Sequence, residues 1–287
     1  MDIFSSDFFK TELHRIISAA IREDVGDGDH SSLACIPNDA LGKAKLLVKD
    51  TGIIAGVDFA KAVFQHVDTE IKVEEHIKDG SSVKYGDIVF YVSGKVQSIL
   101  KSERLVLNGM QRMSAIATKT QKYVLQLEGT NTQILDTRKT TPGIRLLEKW
   151  AVHIGGGVNH RFGLYDMIML KDNHIDYAGG ISNAIERTKN YLKENNKELK
   201  IVVEARNFEE IEEILKHDGI YRILIDNFSI EDTKKAVDMI GGKCLTESSG
   251  GITFQNLRKY AECGVDFVSS GALTHSVSNM DLSLKAV

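Results

Sequence analysis

The chain has 287 residues, 42% hydrophobic and 26% charged, and a formal net charge of -4. That composition excludes disordered, collagen-like and fibrous classes, and the acidic balance argues against a nucleic-acid binder acting through overall positive charge. Cys35, Cys244 and Cys263 are odd in number and widely spaced, matching neither a disulfide framework nor a zinc pattern, so they read as reduced thiols.

Residues 1–7 lack a basic stretch followed by an apolar core, and no apolar run approaches membrane-spanning length. A cytoplasmic location without a membrane partner is therefore expected. Phe8, Phe9, Leu13, Ile16, Ile17, Ala20 and Ile21 recur at helical spacing and predict a helix over 6–22, stopped by Gly26. The loop Gly26-Asp27-Gly28-Asp29-His30-Ser31-Ser32 carries acids but lacks the ligand spacing and closing Glu of a calcium loop, so a plain turn is expected there. From 43 to 100, short β-like runs such as Ile88-Val89-Phe90-Tyr91-Val92 alternate with Asp79-Gly80, Tyr85-Gly86 and Ser93-Gly94 turns and predict a compact sheet domain. Leu105, Leu107, Met110, Met113, Ile116 and Ala117 then predict a long helix over 102–127 that links two domains.

In the C-terminal half, short apolar runs recur, each ending in a polar residue: Gln133-Ile134-Leu135-Asp136, Met167-Ile168-Met169-Leu170-Lys171, Ile201-Val202-Val203-Glu204, Ile223-Leu224-Ile225-Asp226, Cys244-Leu245-Thr246-Glu247 and Phe267-Val268-Ser269-Ser270. Helix starts at Asn207, Ser229 and Thr253, with Gly219, Gly241 and Gly264 behind them, mark successive βα units. Such repetition favours a parallel sheet closed into a barrel, with an open doubly wound sheet as the alternative. In a barrel the C-terminal strand ends share one face, so Asp136, Lys171, Glu204, Asp226, Glu247 and Ser270 are expected to ring one cavity.

Between Asp136 and His174 stand Arg138, Lys139, Arg145, Lys149, His153, His160, Arg161, Lys171 and His174, a concentration of bases in an acidic chain. A solvated surface would suffice for any one of them. Arg138 and Lys139, however, follow one strand end and Lys171 terminates the next. Like charges ~4 Å apart repel by roughly 4 kcal/mol at an effective dielectric near 20, so converging them is costly unless an anion arrives. Arg offers a fork that matches carboxylate or phosphate, and Lys a point charge. Ser248-Ser249-Gly250-Gly251 and Ser269-Ser270-Gly271 end the last two strands, where barrels customarily bind phosphate. Glu204 and Asp226 would repel phosphate unless a metal, sugar hydroxyls or a developing positive charge intervenes, which glycosyl transfer from a sugar diphosphate supplies. Salt-bridge partners in a barrel mouth are their plainer reading. Gly155-Gly156-Gly157 reads as a flexible turn presenting His160 and Arg161, since it does not follow a strand and open a helix as a dinucleotide loop does.

Leu135-Asp136-Thr137-Arg138-Lys139-Thr140-Thr141-Pro142-Gly143-Ile144-Arg145, Gly155-Gly156-Gly157-Val158-Asn159-His160-Arg161 and Leu170-Lys171-Asp172-Asn173-His174 resemble the quinolinate phosphoribosyltransferase family, whose members are also called nicotinate-nucleotide pyrophosphorylases (carboxylating). So do Glu103-Arg104-Leu105-Val106-Leu107-Asn108, Asp226-Asn227, Glu247-Ser248-Ser249-Gly250-Gly251 and Ser269-Ser270-Gly271-Ala272-Leu273-Thr274-His275. The resemblance implies an α/β protein: an N-terminal α+β sandwich domain over 1–117, then an open or irregular TIM-like barrel over 118–275, with the tail 276–287 packing on the first domain. It implies conversion of quinolinate and phosphoribosyl pyrophosphate to nicotinate mononucleotide, pyrophosphate and carbon dioxide, with Mg2+ on the pyrophosphate and no organic prosthetic group. Carried over by position, Arg138, His160, Arg161 and Lys171 hold the two carboxylates, and Lys139 sits between both substrates. Glu204 and Asp226 face the ribose, and Ser249, Gly250, Gly251, Ser270 and Gly271 cradle phosphate, with Thr137 and Ala272 also at substrate. Lys139, Glu204 and Asp226 form the implied catalytic set, and Arg104 is implied to complete the site of a neighbouring subunit in a homodimer. Where the family usually has a bulky residue this chain has Gly109, Ala115 stands in place of a glycine, and Gly28-Asp29-His30-Ser31 replaces a Gly-Asp-apolar-Thr pattern.

Two competing readings follow. One is a relative acting on a single carboxylate, such as nicotinate phosphoribosyltransferase. The other is a carrier module, since Asp79-Gly80-Ser81-Ser82-Val83-Lys84-Tyr85-Gly86-Asp87-Ile88-Val89 resembles biotinyl and lipoyl hairpins but lacks the context of their modified lysine.

Overall fold

The computed structural model describes residues 6–287, so most of the opening read as leaderless lies outside the described residues. Helix α1 (Asp7–Val25) starts at Ser6, whose hydroxyl accepts the Phe9 amide at 3.2 Å, and stops at Gly26 with φ +55°. The acidic loop that follows serves a second helix rather than forming a plain turn. Asp29 caps α2 (His30–Cys35), accepting the Ser32 amide at 3.2 Å and the Ser32 hydroxyl at 2.5 Å.

Strands β1 (Leu41–Val48) and β2 (Gly52–Ile53), helix α3 (Val57–Val67), strands β3 (Lys72–Glu75), β4 (Ser82–Val83) and β5 (Ile88–Lys95) and helix α4 (Val96–Gln126) follow. In β1, Ala44, Leu46 and Val48 are buried and alternate with more exposed neighbours, the period of two of a one-sided sheet. Gly56 has no side chain to cap α3, and Asp79 from the following turn does it instead, accepting the Val57 amide at 2.8 Å and that of Asp58 at 3.3 Å. Helix α4 starts at Val96, immediately after β5 and ahead of the expected 102, because the apolar run through Ile99 and Leu100 fits strand and helix equally well. Gly109 lies on α4 facing Phe59, and a Cβ there would collide with the Phe59 ring, so the small residue and the fully buried aromatic occupy one space between them.

The rest of the chain is β6 (Gln133–Leu135), α5 (Arg145–Ile154), β7 (Ile168–Leu170), α6 (Asp172–Ala178), α7 (Ile181–Glu194), β8 (Ile201–Ala205), α8 (Phe208–Ile214), β9 (Arg222–Asp226), α9 (Ile230–Ile240), β10 (Leu245–Ser249), α10 (Leu257–Ala261), β11 (Phe267–Ser269), α11 (Ala272–His275) and β12 (Leu282–Ala286). Two compact units emerge. One comprises Met1–Gln121, Thr140–Gly156 and Leu273–Val287, the other Lys122–Lys139 and Gly157–Ala272. The expected boundaries at 117 and 275 differ from this division chiefly in the stretch carrying α5, which belongs to the first unit.

In the first unit, the antiparallel sheet runs β12-β1-β5-β3, with β12 pairing Leu284 to Leu46, beside a small β2-β4 pair. Phe59, Phe64, Phe90, Met110 and Met113 fill its core. In the second unit, six parallel strands run β6-β11-β10-β9-β8-β7, so the chain steps round a ring whose one seam without a ladder, among the described residues, lies between β6 and β7. A doubly wound sheet would instead fan out from a central strand. Met169 of β7 and Thr137, Arg138 and Lys139, which follow β6, line one cavity, so the sheet curls into an open barrel. Val158 narrows the seam by bridging to Leu135. All three cysteines are free thiols.

Candidate active site

Side chains two apart on a strand share a face, and this period of two stacks the barrel interior in layers. Met169, Val202 and Leu224 pack together as an apolar floor. Two positions further along the same strands come Lys171, Glu204 and Asp226. The cavity above the floor holds about 550 Å³ and is lined by Thr137, Arg138, Lys139, His160, Arg161, Lys171, Asp226, Asn227, Ser249, Gly250, Gly251 and Ser269, with Met169, Leu224 and Glu247 beneath.

Several expected positions shift. Past the end of β6, and on β10 and β11, the cavity-facing residues are Thr137, Ser249 and Ser269; Asp136 and Ser270 do not line it, and Glu247 lies a layer lower. The end of an apolar run does not fix the end of a strand, and a one-residue error turns a side chain to the other face. Asp136 is fully buried and instead holds the incoming segment, accepting the His160 amide at 2.8 Å and the Asn159 side-chain amide at 2.7 Å. Ser270 is buried, its hydroxyl on the Ile252 carbonyl at 3.3 Å, and neither Gly271 nor Ala272 lines the cavity. The basic segment also divides. Arg138, Lys139, His160, Arg161 and Lys171 reach the cavity, whereas Arg145, Lys149 and His153 lie on α5 in the first unit, and His174 accepts the Lys171 amide at 3.1 Å. Arg104 is exposed on α4 in the first unit and is not among the lining residues. Gly155 is a close-packing glycine more than a flexible one, because a Cβ would strike the Ala117 carbonyl and Thr120.

Glu204, nearly buried, lies 3.5 Å from the Lys171 ammonium and 3.4 Å from the Asp172 amide. Burial pushes its carboxyl above the usual range, Lys171 pulling it down and Asp226 adding to the rise. Burial likewise raises Asp226, against the Asn227 side-chain amide that donates to it at 2.6 Å. Arg161 is lowered by burial and then by the positive charge of Arg138, the expected sign for cations gathered without their anion. Its Nη1 donates to the Met167 carbonyl at 3.1 Å.

The glycine turn after β10 is built around Asn227, which sequence reading left without a role. Asn227 takes φ +57°, and its amide donates to the Ser249 carbonyl at 2.9 Å. Gly250, at φ +88°, lies so close that a Cβ would run into Asn227. Only glycine allows the turn to approach there, which leaves the Gly250 and Gly251 backbone facing the cavity. Met169 and Leu224 were also missed, although the period of two counted back from Lys171 and Asp226 points to both.

Glu204 is not among the lining residues and lies behind Lys171; an apolar floor, a rim of four Arg and Lys side chains, the Asp226 carboxylate and a glycine turn together define a barrel site for a polyanion beside a phosphate-bearing sugar. Family models agree. Residues 29–114 match the N-terminal domain and residues 116–285 the C-terminal domain of quinolinate phosphoribosyl transferase. The chain belongs to that family. It is 45% identical to the chloroplastic nicotinate-nucleotide pyrophosphorylase [carboxylating] of Arabidopsis thaliana, an alignment covering 96% of this chain and 82% of the relative. It is 37% identical to the probable nicotinate-nucleotide pyrophosphorylase [carboxylating] of Bacillus subtilis, over 95% of this chain and 93% of that one. The crystal structure of NadC from Streptococcus pyogenes matches with a TM-score of 0.90 at 37% identity, covering 99% of this chain and 100% of the other.

Proposed function

We propose that the chain makes nicotinate mononucleotide, pyrophosphate and carbon dioxide from quinolinate and phosphoribosyl pyrophosphate, a step of de novo NAD biosynthesis. The observation that carries this reading is the single cavity in which Arg138, Lys139, Arg161 and Lys171 surround an apolar floor beside Asp226 and the Ser249-Gly250-Gly251 turn. The pyridine ring lies on Met169 and Leu224, and its adjacent carboxylates take the guanidinium forks of Arg138 and Arg161 and the Lys171 ammonium. Lys139 stands between this end and the pyrophosphate. The ring nitrogen forms a bond to the anomeric carbon as the bond from that carbon to pyrophosphate breaks, its electron pair leaving with the pyrophosphate. Glu204 and Asp226 steady the ribose hydroxyls and the positive charge that develops on the sugar. The carboxyl next to the new pyridinium then leaves as carbon dioxide, its bonding electrons stabilised by the ring cation, and a proton replaces it.

Magnesium fits this donor set. Such an ion keeps several waters and takes one or two carboxylates plus substrate phosphates, and Asp226 and Glu204 would be the carboxylates to hold it, since among the described residues no three His, Cys, Asp or Glu side chains form a metal cage. When bound it neutralises charge on the departing pyrophosphate. Arg104 of the partner subunit is our candidate for completing the dicarboxylate end in a homodimer. A cytoplasmic location is likewise a proposal, checked by cell fractionation. The plant relative is described as chloroplastic, and among the described residues no helix is long and apolar enough to cross a membrane.

Incubation with Mg2+, phosphoribosyl pyrophosphate and either quinolinate or nicotinate tests the reading. Release of carbon dioxide and nicotinate mononucleotide from quinolinate is expected. Turnover of nicotinate alone would overturn it in favour of a single-carboxylate substrate.

A further inference from the structure

Beneath the rim lies a buried charged column that the reaction does not use directly. Arg222 opens β9, two layers below Asp226, and its guanidinium stacks on Phe267 with 4.2 Å to the ring centroid. Its Nη1 is 2.5 Å from Glu247 Oε2 on β10, and the same Glu247 oxygen is 3.3 Å from His160 Nε2. On the other side of that imidazole, Nδ1 accepts the Arg161 backbone amide at 2.6 Å. An Nδ1 that accepts puts the ring proton on Nε2, which faces Glu247. The Glu247 side chain is 1% exposed, and those of His160 and Arg222 are each 5% exposed.

Both imidazole nitrogens thus face protein groups, the Arg161 amide on one side and Glu247 on the other. We propose that Glu247, clamped by Arg222, is a positioning residue: it fixes the His160 ring, His160 fixes Arg161, and the Arg161 guanidinium takes the substrate carboxylate. His160, which also lines the cavity, thereby aligns the site in addition to the carboxylate contact that the resemblance implies. A carboxylate this deeply buried is costly alone, and Arg222 offsets the cost. Burial pushes the Glu247 carboxyl up, but His160 and Arg222 outweigh it and hold the group below the usual carboxylate range. The inference rests on the proposed reaction, because it assigns Arg161 to the dicarboxylate.

Glu247→Gln keeps the shape and removes the charge. Steady-state kinetics should show the KM for quinolinate rising ~10-fold, as misplacing a binding group does, with the KM for phosphoribosyl pyrophosphate within about 2-fold of wild type. Calorimetric titration with phthalate, which has two adjacent carboxylates and no ring nitrogen, should show a matching loss of affinity. The double variant with His160→Gln should be no worse than either single one, as expected of residues in one chain of contacts. Unchanged quinolinate KM in Glu247→Gln, or additive losses in the double variant, would overturn the inference. Should Glu247→Gln not fold with Arg222 left unpaired, Arg222→Met combined with Glu247→Gln removes both charges and should show the same KM rise; a wild-type KM there overturns it too. If wild type consumes no quinolinate, the functional reading fails, and phthalate affinity in these variants still decides this one.

Discussion

Glu204 and Asp226 are carboxylates held where water is scarce, and burial raises both. A carboxyl whose folded pKa lies above its unfolded value binds protons better when folded, so its ionised form costs stability above the folded pKa and the cost vanishes below the unfolded value of about 4. Glu204→Gln should therefore raise the melting temperature at neutral pH and lose that advantage in acid, while kcat/KM falls ~100-fold. A lower melting temperature for the variant at neutral pH would contradict the argument, because the exposed Lys171 partner contributes little. The acid limb of wild-type kcat/KM should lie above the ordinary carboxylate range for the same reason. Gly250 offers a second case: alanine at φ +88° against Asn227 should cost about 1–3 kcal/mol in denaturant melts and raise the KM for phosphoribosyl pyrophosphate more than that for quinolinate. Equal KM effects on both substrates would remove the turn from the phosphate end. Residue types and order made these groups visible from sequence, but burial, the source of their shifted protonation, is a property of the closed cavity.

Elements were legible to the extent that their periodicity was pure. The βα repeats from β8 to β11 show near-continuous apolar runs, and Asn207 and Ser229 cap α8 and α9 as expected, whereas α10 starts at Leu257 rather than at Thr253; β8 is buried along its whole length. Strand ends were less legible: Ser249 and Ser269 face the cavity because the ladder continues past where hydrophobicity stops, whereas β6 ends at Leu135 and Thr137 reaches the cavity from the segment beyond it. Arg222 is the sharper failure. An arginine at the start of a strand reads as solvated, and only its pairing across the sheet interior with Glu247 shows it to be buried. Gly109 illustrates compensation between elements, since a glycine inside α4 lowers helix propensity by ~1 kcal/mol relative to alanine but admits the Phe59 ring from α3. Gly109→Leu should destabilise by about 1–3 kcal/mol, and Phe59→Leu in the same chain should return part of the loss, read in urea unfolding. Strict additivity would mean that the two do not share the space.

At the scale of the whole molecule the proposed partner is a second copy of the chain. Arg104 is exposed on α4 and outside the cavity lining, and the role proposed for it is in the site of a second chain. Arg104→Ala should lose most activity while remaining folded, and mixed with Arg138→Ala it should regain some, because one site in each mixed dimer would then carry both arginines. Absence of recovery despite proven subunit exchange would argue for sites confined to one chain. By itself the sequence determined the fold class, the order of the βα units and the cation-rich segment from Asp136 to Lys171, because periodicity, capping and charge are local and survive in one dimension. Only the tertiary structure decided that Arg145, Lys149 and His153 belong to the other unit, that Asn227 and Gly250 share one turn, and that Arg222, Glu247 and His160 form one column. Those pairings join residues far apart in the chain, and they exist only once the sheet has curled and removed the groups from water.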